Sequence, residues 1–298
     1  MSSSSIGFVG LGAMGWPMAS RLLPAYPLCV IDIDAARAAS FSEQIGGKRA
    51  RSLAELAAAS DIVITMLPTS REVDAVLTGA TGVLAHCRKN TLIIEMSSGA
   101  PAQTKLFASR AAEADCSLID APVSGGVPRA RTGELAVMVG GDARDIRRAE
   151  PVLKLMGSTV LETGPVGSGH AMKALNNLVS ASTLLATIEA VRVGERAGLD
   201  PGRVVDILNV STGMSNSSLK KMHQFVLSRK FDSGFGLDLL VKDLNNAKAI
   251  GSEYGLSAPL SDRCIEVWEE AAATLGRGQD HTAMVKALEL KDASLPPL

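Results

Sequence analysis

The hydrophobic positions change their rhythm once along the chain. Up to about residue 164, short apolar runs recur at 6–9, 28–31, 61–66, 91–94, 117–120 and 135–139. Each has the length of a strand and is nearly continuously apolar, as strands covered on both faces are. Helical patterns lie between several of them, at 14–23 and 52–59 for example. This alternation predicts a doubly wound, mostly parallel α/β sheet. Beyond 164 the strand-like runs nearly vanish. Helical patterns follow at 170–197, 201–209, 219–228, 239–254, 259–275 and 282–290, with Gly198, Gly213, Gly255 and Gly276 as stops. The first would run about 28 residues, roughly 42 Å, and would join the two halves. The expected organisation is an α/β domain over 1–164, an all-α domain over 165–290 that includes the joining helix, and a frayed tail over 291–298.

Composition narrows the partners. The chain has 298 residues, so about two domains are expected. Hydrophobic residues make up 46%, enough for sizeable cores, and the net charge is −1. A near-neutral chain has no electrostatic reason to seek nucleic acid or an anionic membrane. Aromatics at 3% leave few stacking platforms for single strands. Cys29, Cys87, Cys116 and Cys264 are scattered without ligand spacing, as are the four histidines, so no metal site is expected. The start, MSSSSIGFVG, has no basic segment before an apolar one, and no run of about 20 apolar residues lacks polar interruption. A soluble cytoplasmic protein with reduced thiols is expected.

Three groups of residues suggest chemistry. Gly10-Leu11-Gly12-Ala13-Met14-Gly15 matches G-x-G-x-x-G. It follows a predicted strand and opens a predicted helix, and Asp32 ends the second strand, which together mark a Rossmann-type dinucleotide site. Gly10 allows the tight turn, Gly12 lets backbone approach a pyrophosphate, and Gly15 allows close helix–strand packing. The helix start offers amide donors and partial positive charge. A carboxylate at 32 accepts ribose hydroxyls and repels a 2′-phosphate, which favours NAD over NADP. Arg37, close in sequence, complicates that preference.

The second group is Asp120-Ala121-Pro122-Val123-Ser124-Gly125-Gly126, just after a strand. Ser124 beside Gly125 and Gly126 offers backbone N–H groups that can hold a carboxylate, although an ordinary turn reads as well locally. The third is Lys173 and Asn177, one turn apart near the start of the long helix. A lysine there can exchange a proton with a substrate oxygen and an asparagine can orient it. From local sequence alone a surface lysine is the commoner reading. Phe235, Lys242 and Asp243 stand in FGLDLLVKD, where core packing and a solvated charge pair serve equally well.

GFVGLGAMGWPMA at 7–19, DAPVSGG at 120–126 and the spacing Gly169, Lys173, Asn177 occur in one order. Together they resemble the β-hydroxyacid dehydrogenase family over about residues 6 to 290. The resemblance implies a 3-hydroxy acid and its semialdehyde as substrates and NAD, with NADP possible, as cofactor. It implies that Ser124, Gly125 and Gly126 grip the substrate carboxylate, Lys173 acts as general acid/base, and Asn177 positions substrate. It further implies that Leu67, Pro68, Ser98, Phe235 and Lys242 lie along the cofactor, that Asp243 supports Lys242, that no metal takes part, and that the chain forms dimers or tetramers. Departures exist: Glu95-Met96-Ser97-Ser98 replaces the usual Asp-Ser-Ser-Thr, Glu72 stands where an asparagine is common, and the loop at 213–218 is polar. The last puts the substrate in doubt and hints at a small polar one. An NADPH-preferring reductase of tartronate semialdehyde, glyoxylate or succinic semialdehyde is the alternative. A non-catalytic dinucleotide-binding protein is more remote. Imine reductases share the architecture but commonly lack the lysine.

Overall fold

The computed structural model describes residues 4–292. Most of the 291–298 tail expected above therefore lies outside the described residues. The chain divides into two compact units after Lys173.

In the first unit the strands β1 (Ile6–Val9), β2 (Leu28–Ile31), β3 (Lys48–Arg49), β4 (Ile62–Thr65), β5 (Leu92–Glu95), β6 (Ser117–Asp120), β7 (Val123–Ser124), β8 (Ala136–Gly140) and β9 (Thr159–Gly164) form one sheet. The order is β3-β2-β1-β4-β5-β6-β8-β7, with β9 also paired to β8. From β3 to β6 the pairing is parallel; β8 runs antiparallel to β6 and β7 and parallel to β9. Helices α1 (Gly15–Leu22), α2 (Ala35–Gln44), α3 (Leu53–Ala59), α4 (Ser70–Thr78), α5 (Pro101–Glu113), α6 (Gly126–Thr132) and α7 (Ala143–Met156) lie between the strands in sequence.

The side-chain parity explains the continuous apolar runs. Phe8, Val30, Ile64 and Ile94 belong to one core, whereas Val9, Cys29, Val63 and Ile93 belong to another on the opposite face. Both faces are buried, and each large aliphatic side chain so covered contributes about 1.5–3 kcal/mol. Three strands do not announce themselves in the sequence. β3 and β7 have two residues each, and β9 has no buried residue.

The helix starts carry their own signals. Asp34 caps α2 through the amides of Ala36 and Arg37, Ser52 caps α3 through Glu55, and Thr69 caps α4 through Arg71. Each cap contributes about 1 kcal/mol.

α8 (Ser168–Arg196) begins in the first unit and continues into the second. The start of α8, which hydrogen-bonds to Asp120, falls in the unit that ends at Lys173. The second unit adds α9 (Pro201–Asn209), a π-helical segment Ser218–Leu227, α10 (Leu237–Glu253), α11 (Pro259–Leu275), a short turn His281–Ala283, and α12 (Met284–Lys291). Its core gathers Leu184, Ile188, Leu240, Leu244, Trp268 and Met284. By length and composition alone α8 could cross a membrane, but Ala181, Leu184, Ile188 and Val191 are buried in this core.

Candidate active site

The glycine turn joins β1 to α1. Gly10 has φ of +98°, a conformation that disfavours a side chain. A Cβ on Gly15 would stand 1.9 Å from the Gly10 carbonyl oxygen, so the turn closes only on glycine. Leu11 is buried, and Met14 is half-buried against the core. Gly12 and Ala13 face outward, and a Cβ on Gly12 would meet nothing within 4 Å. That open approach to backbone is what a pyrophosphate requires, so these residues fit a dinucleotide. A cleft of about 750 Å³ flanks the turn, lined by Leu11, Gly12, Ala13, Trp16, Arg37 and Arg131 among others. Its size is that of a ligand pocket.

Asp32 follows β2 beside this turn. One carboxylate oxygen accepts the Leu11 amide at 2.6 Å. The other accepts the Asp34 amide at 2.8 Å and pairs with Arg37 at 3.2 Å. The side chain is only 5% exposed, so its carboxylate is held in place at the end of the strand. Leu67 follows β4, and its amide donates to the Ser97 hydroxyl at 2.9 Å. Pro68 is exposed and Ser98, in the loop after β5, is half-buried. Glu72, to which no role was given, sits in the first turn of α4 and bonds Thr69 and Arg71.

Asp120 ends β6 with its side chain fully buried. Its two oxygens accept the Gly167 amide at 2.6 Å and the His170 amide at 2.7 Å, at the start of α8. The same motif continues through β7 to Gly125, whose φ is +136°, and Gly126, which starts α6. Ser124 is half-buried, and Gly125 and Gly126 are exposed. Asp120 therefore ties the end of β6, where this motif begins, to the start of the helix that carries Lys173. Lys173 is half-buried, one turn beyond His170.

Asn177 is buried in the second unit. Its amide donates to Asp243 at 2.6 Å, and Asp243 pairs with Lys242 at 3.2 Å. These three residues, on α8 and α10, form one polar cluster. Phe235 packs edge-on against His281, with ring centroids 5.5 Å apart, beside the core of this unit. Burial pushes the His281 imidazole down to about 4, so that ring is neutral at ordinary pH.

Sequence reasoning passed over a second buried cluster. His170, Glu95 and Asp120 have side chains no more than 1% exposed. His170 lies 2.9 Å from Glu95 and 3.6 Å from Asp120. Burial disfavours charge on His170, but the Glu95 carboxylate, aided by Asp120 and the Ser97 carbonyl, outweighs it and raises the pKa above 6.5. Burial also opposes ionisation of Glu95, and there His170 and Ser97 win, holding the carboxyl below 4.5. For Asp120 burial prevails and the carboxyl is raised, despite His170 and the two amides. A signal did exist. Glu95 and Asp120 end adjacent parallel strands and are register partners, so two carboxylates meet in an apolar interior and call for a cation.

This arrangement carries a pH signature. The raised His170 pKa contributes stability that is fully present below 6.5 and is lost as pH rises through the elevated value. Glu95 acts from the other side: its contribution is present above 4.5 and is lost as pH falls through the depressed value. The melting temperature is expected to fall above pH 6.5 more steeply for the wild type than for His170→Gln. Calorimetry across pH 6 to 9 measures this, and identical slopes would rule out a stabilising imidazolium.

The chain was compared with known proteins. A family model described as the NAD binding domain of 6-phosphogluconate dehydrogenase matches residues 5–164. One described as the NAD-binding of NADP-dependent 3-hydroxyisobutyrate dehydrogenase matches 167–288. The chain is 37% identical over 289 residues to 2-(hydroxymethyl)glutarate dehydrogenase of Eubacterium barkeri, covering 96% of this chain and 95% of that one. It is 36% identical over 287 residues to 2-hydroxy-3-oxopropionate reductase of Escherichia coli K12, covering 96% and 97%. A solved structure of Mycobacterium tuberculosis 3-hydroxyisobutyrate dehydrogenase with L-serine superposes with a TM-score of 0.88 at 33% identity, covering 96% of this chain and 99% of that one.

Proposed function

The chain belongs to the β-hydroxyacid dehydrogenase family of NAD(P)-dependent oxidoreductases acting on CH–OH groups, and on that footing we propose that it interconverts a small 3-hydroxy acid and its semialdehyde, with Lys173 as general acid/base and NAD as the preferred coenzyme. The observation that supports this reading is Asp120, the first residue of the DAPVSGG motif, whose carboxylate bonds the amides of Gly167 and His170 at the start of α8 and so holds the end of β6 against the helix that carries Lys173. The segment that leads to the proposed carboxylate grip and the helix of the proposed proton-transfer group thereby start from one buried side chain.

Gly10 to Gly15 and Asp32 would hold the dinucleotide, with Leu67, Pro68 and Ser98 along it. When bound, the nicotinamide supplies the two-electron acceptor for the carbinol carbon. The loop amides at Gly125 and Gly126, with the Ser124 hydroxyl, would hold the substrate carboxylate. Lys173 would take the hydroxyl proton during oxidation and return it during reduction. Asn177, held by Asp243, would orient the substrate or the lysine, and Asp243 would also fix Lys242. Phe235 and Lys242 are assigned to the cofactor side.

The NAD preference rests on the Asp32 carboxylate, which would face a 2′-phosphate with negative charge. One observation favours the alternative of an NADPH-preferring semialdehyde reductase: Arg37 is 42% exposed and already within 3.2 Å of Asp32, so a small turn would bring it to a phosphate. Reading kcat/KM for a panel of 3-hydroxy acids, and for their semialdehydes in reverse, with both coenzymes decides between them. NAD is expected to be the better coenzyme for the wild type, and Asp32→Ser is expected to narrow the gap by about ten-fold or more, the equivalent of one lost charge–charge contact of about 1.4 kcal/mol. A wild type that strongly prefers NADPH would refute the reading of Asp32, and inactivity across the panel would refute the substrate class.

Assembly is proposed as a homodimer or homotetramer. Val179 and Val193 on α8 are 64% and 70% exposed, and Val210 is 87% exposed, more apolar surface than the second unit has reason to show water. All four cysteines are free thiols, in keeping with a cytoplasmic enzyme.

A further inference from the structure

Glu95 and His170 have no place in the roles assigned above, and the hydrogen bonds of their cluster with Asp120 bear on its charge. The Thr104 hydroxyl lies 3.1 Å from the Ala100 carbonyl and 2.7 Å from His170 Nδ1, and it accepts from the imidazole when its one proton goes to the carbonyl. Nε2 faces two further acceptors, the Ser97 carbonyl at 2.8 Å and the Glu95 carboxylate at 2.9 Å. With Thr104 so turned and Asp120 3.6 Å from Nδ1, both ring nitrogens donate, which is the hydrogen-bond pattern of an imidazolium and agrees with the raised pKa of His170. A fully buried cation beside two carboxylates costs several kcal/mol in desolvation, which only well-made bonds offset. Such a group adds little net stability for its cost. Its value lies in geometry.

The cluster reaches the loops that follow β4 and β5, the end of β6 and the start of α8. Ser97 donates its amide to Glu95 at 2.8 Å, accepts the Leu67 amide on its hydroxyl, and gives its carbonyl to His170. Ser97 thereby fixes both Leu67 and the neighbouring Ser98. Asp120 starts the DAPVSGG loop and accepts two amides from the start of α8. A Cβ on Gly169 would stand 2.5 Å from the Met138 carbonyl and 2.8 Å from Asp120, so only glycine lets the helix come this close. His170, Lys173 and Asn177 follow at i, i+3 and i+7, along one face of α8.

We propose that His170, with Glu95 and Asp120, is a positioning device for the reaction. It sets the relative register of the Leu67 and Ser98 loops, the end of β6 from which the DAPVSGG loop departs, and the turn of α8 that presents Lys173. The proposal rests on the reading of Lys173 as acid/base. It also explains why glutamate ends β5: its longer reach spans to the imidazole.

The test compares wild type, His170→Ala, His170→Gln, Glu95→Gln and Lys173→Ala by steady-state kinetics with the best 3-hydroxy acid and NAD, with NAD titrations at a temperature where every variant is folded. His170→Ala is expected to lose on the order of 100-fold in kcat, because a displacement of about 1 Å of the reacting group costs that much. KM and the NAD dissociation constant are expected to stay within about three-fold, since the binding elements themselves are kept. His170→Gln, which still donates to Ser97 or Glu95, should recover at least about ten-fold of the loss. Glu95→Gln, nearly isosteric, should show the same split and serves if His170→Ala does not fold. Unchanged kcat in His170→Ala or Glu95→Gln, with Lys173→Ala inactive, overturns the proposal and leaves the Lys173 reading intact. Equal losses in kcat and in NAD binding, with no recovery in His170→Gln, overturn it in favour of a purely structural cluster. An active Lys173→Ala overturns both, and that variant alone identifies the cause.

Discussion

Lys173→Ala is expected to lower kcat by about 10²–10⁴-fold, the usual contribution of a positioned general acid or base, while the NAD dissociation constant stays near that of the wild type. Lys173 stands on α8 one turn after His170, and its helix start is bonded to Asp120 rather than to the glycine turn that would hold the coenzyme. Alanine is a better helix former than lysine, so the substitution should not weaken α8. Kinetics at saturating NAD, paired with a coenzyme titration, separates the cases. A fall in kcat alone assigns Lys173 to the chemistry, whereas a rise in KM at constant kcat assigns it to binding.

The second large effect separates two glycines three residues apart. Gly15→Ala would place a methyl 1.9 Å from the Gly10 carbonyl oxygen, in a turn whose backbone cannot yield as a side chain can. Overpacking of this kind costs about 1–3 kcal/mol or more, so both the melting temperature and the NAD affinity should fall. Gly12→Ala meets nothing within 4 Å. It should therefore keep the melting temperature of the wild type and lose NAD affinity, by about 10- to 100-fold if the methyl holds the pyrophosphate off the backbone at a similar cost. Thermal melts and NAD titrations of the two variants test this. A Gly12→Ala protein that binds NAD normally would remove the dinucleotide from this turn.

The strands that were legible in the sequence are those buried on both faces. Ile6, Phe8 and Val9 read as continuous because alternate side chains enter different cores. β9 was not legible because its Leu161 and Glu162 are exposed and its place comes from pairing with β8 rather than from burial. The glycine turn and Asp32 were legible because local spacing and a local strand–helix context define them. Lys173 was less so: only its occurrence in one order with GFVGLGAMGWPMA and DAPVSGG raised it above a surface lysine. The role of Asp120 as a tether was hidden, since its partners Gly167 and His170 lie 47 and 50 residues away. His170 appeared as one of four scattered histidines, and only the folded sheet brings Glu95 and Asp120 to it. The departure at Glu95, visible in the sequence, acquires a physical reason only in that setting.

The central claim is that Lys173 exchanges a proton with the substrate oxygen. Its most direct measurement is the turnover of Lys173→Ala in the presence of small primary amines of graded basicity, with NAD and substrate saturating. The account predicts that amines restore part of the lost kcat and that, once steric size is allowed for, the restored rate follows amine pKa along a Brønsted line. Turnover that remains at the variant's background in every amine, although NAD and substrate still bind, would contradict it.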